Sequence, residues 1–217
     1  GADPLDLVLV ADTGLVEAAE ARAVLLDDDR VELVGLELAL PADGPLGESA
    51  AVTLDSLDFA LPAAIEIPRA PGWRDALATI AEDGAERVKF RTGGATAAAH
   101  PSEQELADRI VASVELGARF KLTAGLHHPV RRTDPATGFE EHGFLNALAA
   151  TSVAVGGGDA EQVAAVLAER DAAPLLGILA DADPRAVRAR FTSFGSCSID
   201  EPVAALRELG MFEDEDS

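Results

Sequence analysis

The chain of 217 residues carries 17 Lys and Arg against 39 Asp and Glu, a formal charge of −22 at pH 7. A surface this acidic repels phosphodiester backbones and argues against nucleic acid as a partner, while 48% hydrophobic and 26% charged residues is a globular rather than a disordered composition. No apolar run approaches the roughly 20 residues of a membrane span, which argues against a membrane partner. The single cysteine, Cys197, excludes an internal disulfide or a Cys-based zinc site, so a reducing, cytoplasmic setting is expected.

In chain order, residues 5–12 read as a strand, 13–26 as a helix and 31–40 as a second strand with Glu37 among its apolar residues. The chain starts without an initiator Met, so a further N-terminal segment is expected upstream. Residues 44–56 read as a surface excursion, 63–68 as a short strand containing Glu66, and 72–82 as a helix with Trp73, Leu77 and Ile80 inward. Val88-Lys89-Phe90-Arg91-Thr92 is a strand that runs into Gly93-Gly94. Ser102 with Glu105 three residues later forms a capping box, and Leu106, Ile110, Val111 and Val114 give that helix its apolar stripe. Phe120-Lys121-Leu122-Thr123 is the next strand, again ending in glycine at Gly125. A polar loop over 129–141 precedes helices over 143–155 and 159–170, a weak strand pattern over 175–180 and a last strand over 191–196. Ser198 with Glu201 opens a closing helix that Gly210 stops, and 213–217 is an acidic tail expected to be disordered.

Strands alternating with helices, without hairpin signals, predict an α/β protein with a parallel sheet. A doubly wound sheet should have strands apolar on both faces, whereas here Glu37, Glu66, Lys89 and Lys121 occupy one phase of four consecutive strands. The expectation is therefore a parallel (β/α) barrel, one domain over 1–212, whose polar phase lines the interior. Six strands and a weak seventh fall short of eight, so the barrel is expected to be incomplete at its N-terminus or completed by a second copy in a homo-oligomer.

Only two of the 17 basic residues are lysines, and both lie on this polar phase. Two desolvated ammonium groups on neighbouring strands can release one free amine to attack a carbonyl and form a Schiff base. Lys89 and Lys121 are the candidates for that chemistry, and Glu37 and Glu66 for proton transfer. The competing interpretation is a buried ring of salt bridges with no lysine chemistry.

Three of the four histidines, His127, His128 and His142, fall within 16 residues, with Arg131 between them and Asn146 four residues after His142. His127 follows a strand directly, and His142 with Asn146 has the spacing of one helix face. His127 and His142 are candidates for acid–base work, or for a divalent metal with help from Asp12 or Glu141; no zinc-binding spacing such as H-E-x-x-H is present. No other cofactor is implied. Ser193-Phe-Gly195-Ser196 leads from a strand into a helix, where exposed backbone N–H groups can hold an anion. With Arg91, Gly93, Gly94, Thr123, Arg131 and Asn146 these residues are the candidates for binding a small anionic substrate.

Residues 88–126 resemble the class I aldolase barrel of the deoxyribose-phosphate aldolase type. Val88-Lys89-Phe90-Arg91-Thr92-Gly93, the Gly93-Gly94-Ala95-Thr96 loop, the capped helix and Phe120-Lys121-Leu122-Thr123-Ala124-Gly125 stand where that family has V-K-T-S-T-G-F, Gly-Gly-Ala-Thr and V-K-A-S-G-G-I-R. The resemblance implies that Lys89 forms the Schiff base, that Lys121 is its neighbouring cation, and that the reaction is a carbon–carbon lyase or aldolase step on a small anionic carbonyl or phosphorylated compound. Arg91 departs from the family's small hydroxyl, and His127-His128-Pro129 from its turn after the second strand. Residues 89–202 are also similar to uncharacterised actinobacterial proteins with Lys-x-Arg-Thr-Gly-Gly, Thr-Ala-Gly-Leu-His-His and Ser-Phe-Gly-Ser-Cys-Ser segments, a likeness that implies no activity. The alternatives are a histidine- or metal-dependent hydrolase or lyase on the same barrel, and a barrel fragment that binds a ligand without catalysis.

The charge of −22 also makes a prediction about stability. Repulsion between carboxylates opposes the compact state and salt screens it, so the melting temperature should rise between low and molar potassium chloride. Thermal melts check this, and a flat or falling trend contradicts it.

Overall fold

The computed structural model describes residues 3–11, 15–25, 27–57 and 61–211. Asp12 and the 213–217 tail lie outside them. The chain divides into two compact units, residues 1–90 with 118–120 and residues 91–117 with 121–217.

The first unit alternates β1 (Leu5–Ala11), α1 (Leu15–Leu25), β2 (Val31–Ala39), α2 (Leu46–Asp55), β3 (Ala63–Glu66), α3 (Trp73–Asp83) and β4 (Arg87–Arg91). The last residue of β4, Arg91, belongs to the second unit. β1 pairs with β2, β2 with β3 and β3 with β4, all in parallel, as strands joined through helices must. One extra residue on β2, Val34, bulges between the Leu7–Leu33 and Val8–Gly35 partners. Ala63, Ala64, Ile65, Val88 and Phe90 are almost completely buried and form the centre of this unit's core.

The span over 44–56 is not a surface excursion. It contains α2, which buries Leu46, Ala50 and Thr53 at helical spacing and packs against α3. At the close approach of those two helices, a side chain on Gly47 would meet Asp75 Cβ at 3.2 Å.

The second unit holds a short 3₁₀ turn (Ala97–Ala99), α4 (Glu103–Glu115), β5 (Phe120–Thr123, its first residue counted with the first unit), β6 (Arg132–Thr133), β7 (Glu140–Glu141), α5 (Phe144–Val155), α6 (Ala160–Ala168), α7 (Ala172–Ala180), α8 (Pro184–Arg190), β8 (Phe191–Phe194) and α9 (Asp200–Glu208). The Ser102–Glu105 capping box opens α4, and Asp159 with Gln162 makes a second one at α6. The 129–141 span is a tight β6–β7 hairpin. Asp134 accepts hydrogen bonds from Ala136 N and Thr137 Oγ1, and those bonds hold its carboxyl below the usual carboxylate range.

The weak strand pattern over 175–180 is a helix, α7, whose N-cap Asp171 accepts from Ala173 N at 3.0 Å. α8, capped by Asp183 with Pro184 at its start, was not expected. The apolar helix α5 packs against α4, α6, α7 and α8 and forms the middle of this layer.

The strand order of the main sheet is β1-β2-β3-β4-β5-β8. Parallel α/β architecture is therefore established. Among the described residues, no helix is long and apolar enough to cross a membrane.

Asn146 of α5 ties this helical layer together. Its Oδ1 accepts from Arg131 N at 2.8 Å, while Nδ2 donates to Val166 O at 3.0 Å and Glu169 O at 2.8 Å, at the end of α6. The side chain is fully buried, so its removal takes a hydrogen bond from Arg131 N, Val166 O and Glu169 O, of which Val166 O keeps the one it accepts from Glu169 N. Asn146→Ala is expected to lower stability by about 3 kcal/mol, read from urea unfolding. Asn146→Asp should not restore it, because a carboxylate cannot donate to two carbonyls.

Candidate functional site

The strand register explains how the charged residues of the first unit meet. Glu66 pairs with Lys89 and Ala39 with Glu66, so Glu37, two residues before Ala39, shares their face. Lys89 Nζ lies 3.1 Å from Glu37 Oε2 and 3.1 Å from Glu66 Oε2. Their side chains are 6% exposed for Lys89 and 12% for each glutamate. The opposite phase, Val88 and Phe90, is fully buried in apolar surroundings. Three charged groups thus form one desolvated cluster towards the C-terminal ends of β2 and β3, the end at which parallel α/β proteins carry their sites. With all three ionised, the cluster carries one negative charge.

Glu37, Glu66 and Lys89 are thereby brought together within the first unit. Arg91 and Lys121 belong to the second unit, Arg91 exposed at the end of β4 and Lys121 half-buried on β5. The expected alternation holds on β5, where Phe120 and Leu122 are fully buried and Lys121 and Thr123 are partly exposed.

In the second unit the chain after β4 and the chain after β5 run against each other. Thr92 N donates to Thr123 O at 2.8 Å, and Thr92 Oγ1 donates to Thr123 O and Ala124 O. A Cβ on Gly93 would stand 2.9 Å from Gly125 Cα, so this crossing admits only glycine. β8 joins through Gly195 N, which donates to Leu122 O at 2.9 Å, and a Cβ on Gly195 would lie 3.4 Å from Thr123 Oγ1. Gly93, Thr123 and Gly195 are therefore neighbours at the strand ends. Gly94 and Ser196 are exposed, and Ser193 is half-buried on β8.

The histidines have separate fates. His142 is buried just before Gly143, the N-cap of α5, and so does not share a helix face with Asn146. Its Nε2–H donates to Pro101 O at 2.9 Å, and its Nδ1 accepts from Arg131 Nη1 at 3.4 Å. The buried Arg131 guanidinium also pairs with Glu103 at 2.8 Å and Glu140 at 3.0 Å. This places His142, Arg131 and Asn146 in one buried polar network. Burial holds the His142 imidazole down to about 4. His128 is lowered as well, first by burial and then by the Arg132 charge. His100 donates through Nε2 to Gly94 O at 3.0 Å.

His127 is partly exposed, and its Nδ1 lies 3.0 Å from Glu201 Oε2 and 3.4 Å from Ser196 Oγ. Glu201 is a residue that sequence reasoning used only as a helix-start signal. Among the described residues, no three His, Cys, Asp or Glu side chains form a group able to hold a metal ion.

Searches for relatives returned nothing: no family model, no curated protein and no solved structure matches the chain.

The buried imidazole has a consequence for pH. The unfolded ring takes up a proton near 6.5, but the folded one only near 4. Stability is thus intact above pH 6.5 and is lost as the pH falls from 6.5 towards 4, where the unfolded state binds the extra proton. The loss attributable to this group is about 3 kcal/mol. Denaturant midpoints measured over that window should fall less steeply in His142→Gln than in the parent protein.

Proposed function

We propose that the first unit carries a lysine-based centre of the carbon–carbon lyase, aldolase-like kind, acting on a small carbonyl compound in the cytoplasm. The observation that carries this reading is the placement of one ammonium beside two carboxylates, Lys89 Nζ at 3.1 Å from both Glu37 and Glu66, on a desolvated strand face. Two carboxylates beside it stabilise the ammonium, so this reading requires that one of them accept the lysine's proton when the carbonyl compound is bound.

In the reaction, one glutamate takes a proton from Lys89, and the free amine attacks the carbonyl carbon. A C–N bond forms. The oxygen takes the proton held by the glutamate and a second one passed from the attacking nitrogen and leaves as water, and the nitrogen remains as a protonated imine. The protonated imine then draws electrons from the adjacent carbon–carbon bond, and a glutamate exchanges the proton that cleavage or addition requires. The other carboxylate balances the charge of the imine. The resemblance over 88–126 supports the same role for Lys89, and a (β/α) barrel would be the setting in which the polar strand phase faces its substrate.

The chain's two lysines make the test clean. Incubation with propanal or pyruvate followed by borohydride should label Lys89 covalently, as read by peptide mass mapping. The label should be absent in Lys89→Arg and form more slowly in Glu66→Gln. A folded protein that labels only at Lys121 or the N-terminal amine, or not at all, overturns the reading.

A further inference from the structure

At the C-terminal ends of β5 and β8, three segments of the second unit deliver side chains to one point. After β5 the backbone turns through Ala124 at φ 63° and Gly125 at φ 79°, and this reversal presents His127. Ser196 follows β8 by two residues. Glu201 stands in the first turn of α9, where its backbone N–H donates to Ser198 Oγ at 3.2 Å and fixes the start of the helix.

His127 Nδ1 faces Glu201 Oε2 at 3.0 Å. A carboxylate offers no proton, so Nδ1 carries the hydrogen and donates it. In that tautomer the lone pair lies on Nε2, which has no hydrogen-bond partner among the described residues. The side chain is 22% exposed, enough for a small molecule to reach it. His142 differs in every respect, with both ring nitrogens occupied and the side chain buried.

The hydroxyl of Ser196 is 3.4 Å from the same Nδ1, not from Nε2. A serine nucleophile would need the opposite ring nitrogen from the carboxylate, so the oxygen activated at Nε2 comes from outside the chain.

We propose that His127 is a general base that activates water for attack on a small ester, with Glu201 as its positioning residue. Nε2 takes a proton from water as the water oxygen bonds to the acyl carbon or phosphorus. The ester C–O or P–O bond breaks, and the imidazolium returns the proton to the departing alcohol oxygen. Glu201 stays ionised and holds both the tautomer and the ring plane. This centre lies wholly in the second unit and does not depend on Lys89, so the borohydride experiment leaves it untouched.

Nitrogen-15 NMR of the histidine rings should show His127 as the Nδ1–H tautomer, and diethylpyrocarbonate should acylate it faster than His100, His128 or His142. Glu201→Gln should slow that acylation several-fold, with Glu201→Asp recovering part of it. With p-nitrophenyl acetate and p-nitrophenyl phosphate as probes, one ester should be hydrolysed, and the preference decides between acyl and phosphoryl chemistry. His127→Gln should lower that rate about a hundredfold, and Glu201→Gln should lower kcat more than it changes KM and alter the pH profile. An Nε2–H tautomer, an acylation rate indifferent to Glu201→Gln, or no ester hydrolysis above the His127→Gln background overturns the proposal. Circular dichroism of each variant confirms that the comparison is between folded proteins.

Discussion

The first unit is organised around the desolvation of Lys89. An ammonium only 6% exposed is tolerable in a folded protein when opposite charge stands beside it, and Glu37 and Glu66 supply that from two neighbouring strands. The requirement fixes register. Moving β3 by one residue against β4 would turn Glu66 away from Lys89 and place a charge among Val88, Phe90 and Ile65, which are fully buried. The cluster therefore discriminates among pairings that apolar packing alone would leave closer in energy.

The second unit meets the same constraint with different means. Arg131 is buried, and its guanidinium is held by Glu103, by Glu140 and by the neutral ring of His142. Its backbone N–H is held by Asn146, whose amide also closes the end of α6. Every polar group here has a fixed partner, so the network specifies how the β6–β7 hairpin sits on the helical layer. His127 stands outside that network, near solvent, with one nitrogen held by Glu201 and the other free of described partners.

Much of the strand framework was legible because apolar and polar residues alternate in the sequences of β4 and β5, and because Ser102–Glu105 announces a helix in four residues. α2 was hidden by Gly44, Pro45 and Gly47, which read as loop although Leu46, Ala50 and Thr53 follow helical spacing. α7 was read as a strand from the apolar Leu175 to Ala180 run, when the informative residue was the Asp171 cap before it. The two families of histidine were not separable from sequence. His142 and Asn146 have helical spacing, but Gly143 is the residue at which the helix begins. A Cβ at that position would lie 2.3 Å from Pro129 O, so only a glycine permits that approach. The pairing of His127 with Glu201 spans 74 residues, and no local pattern encodes it.

β1 stands at one end of the strand order and leaves Leu5, Val8 and Val10 about half or more exposed. Such a margin invites another chain to add to it, and no lysine or proline within β1 guards it. The guard is global instead. Two molecules that each carry a charge of −22 repel before their sheet margins can meet. The acidity that strains each molecule from within thus keeps copies apart in solution, so a rise in ionic strength that favours folding also favours self-association.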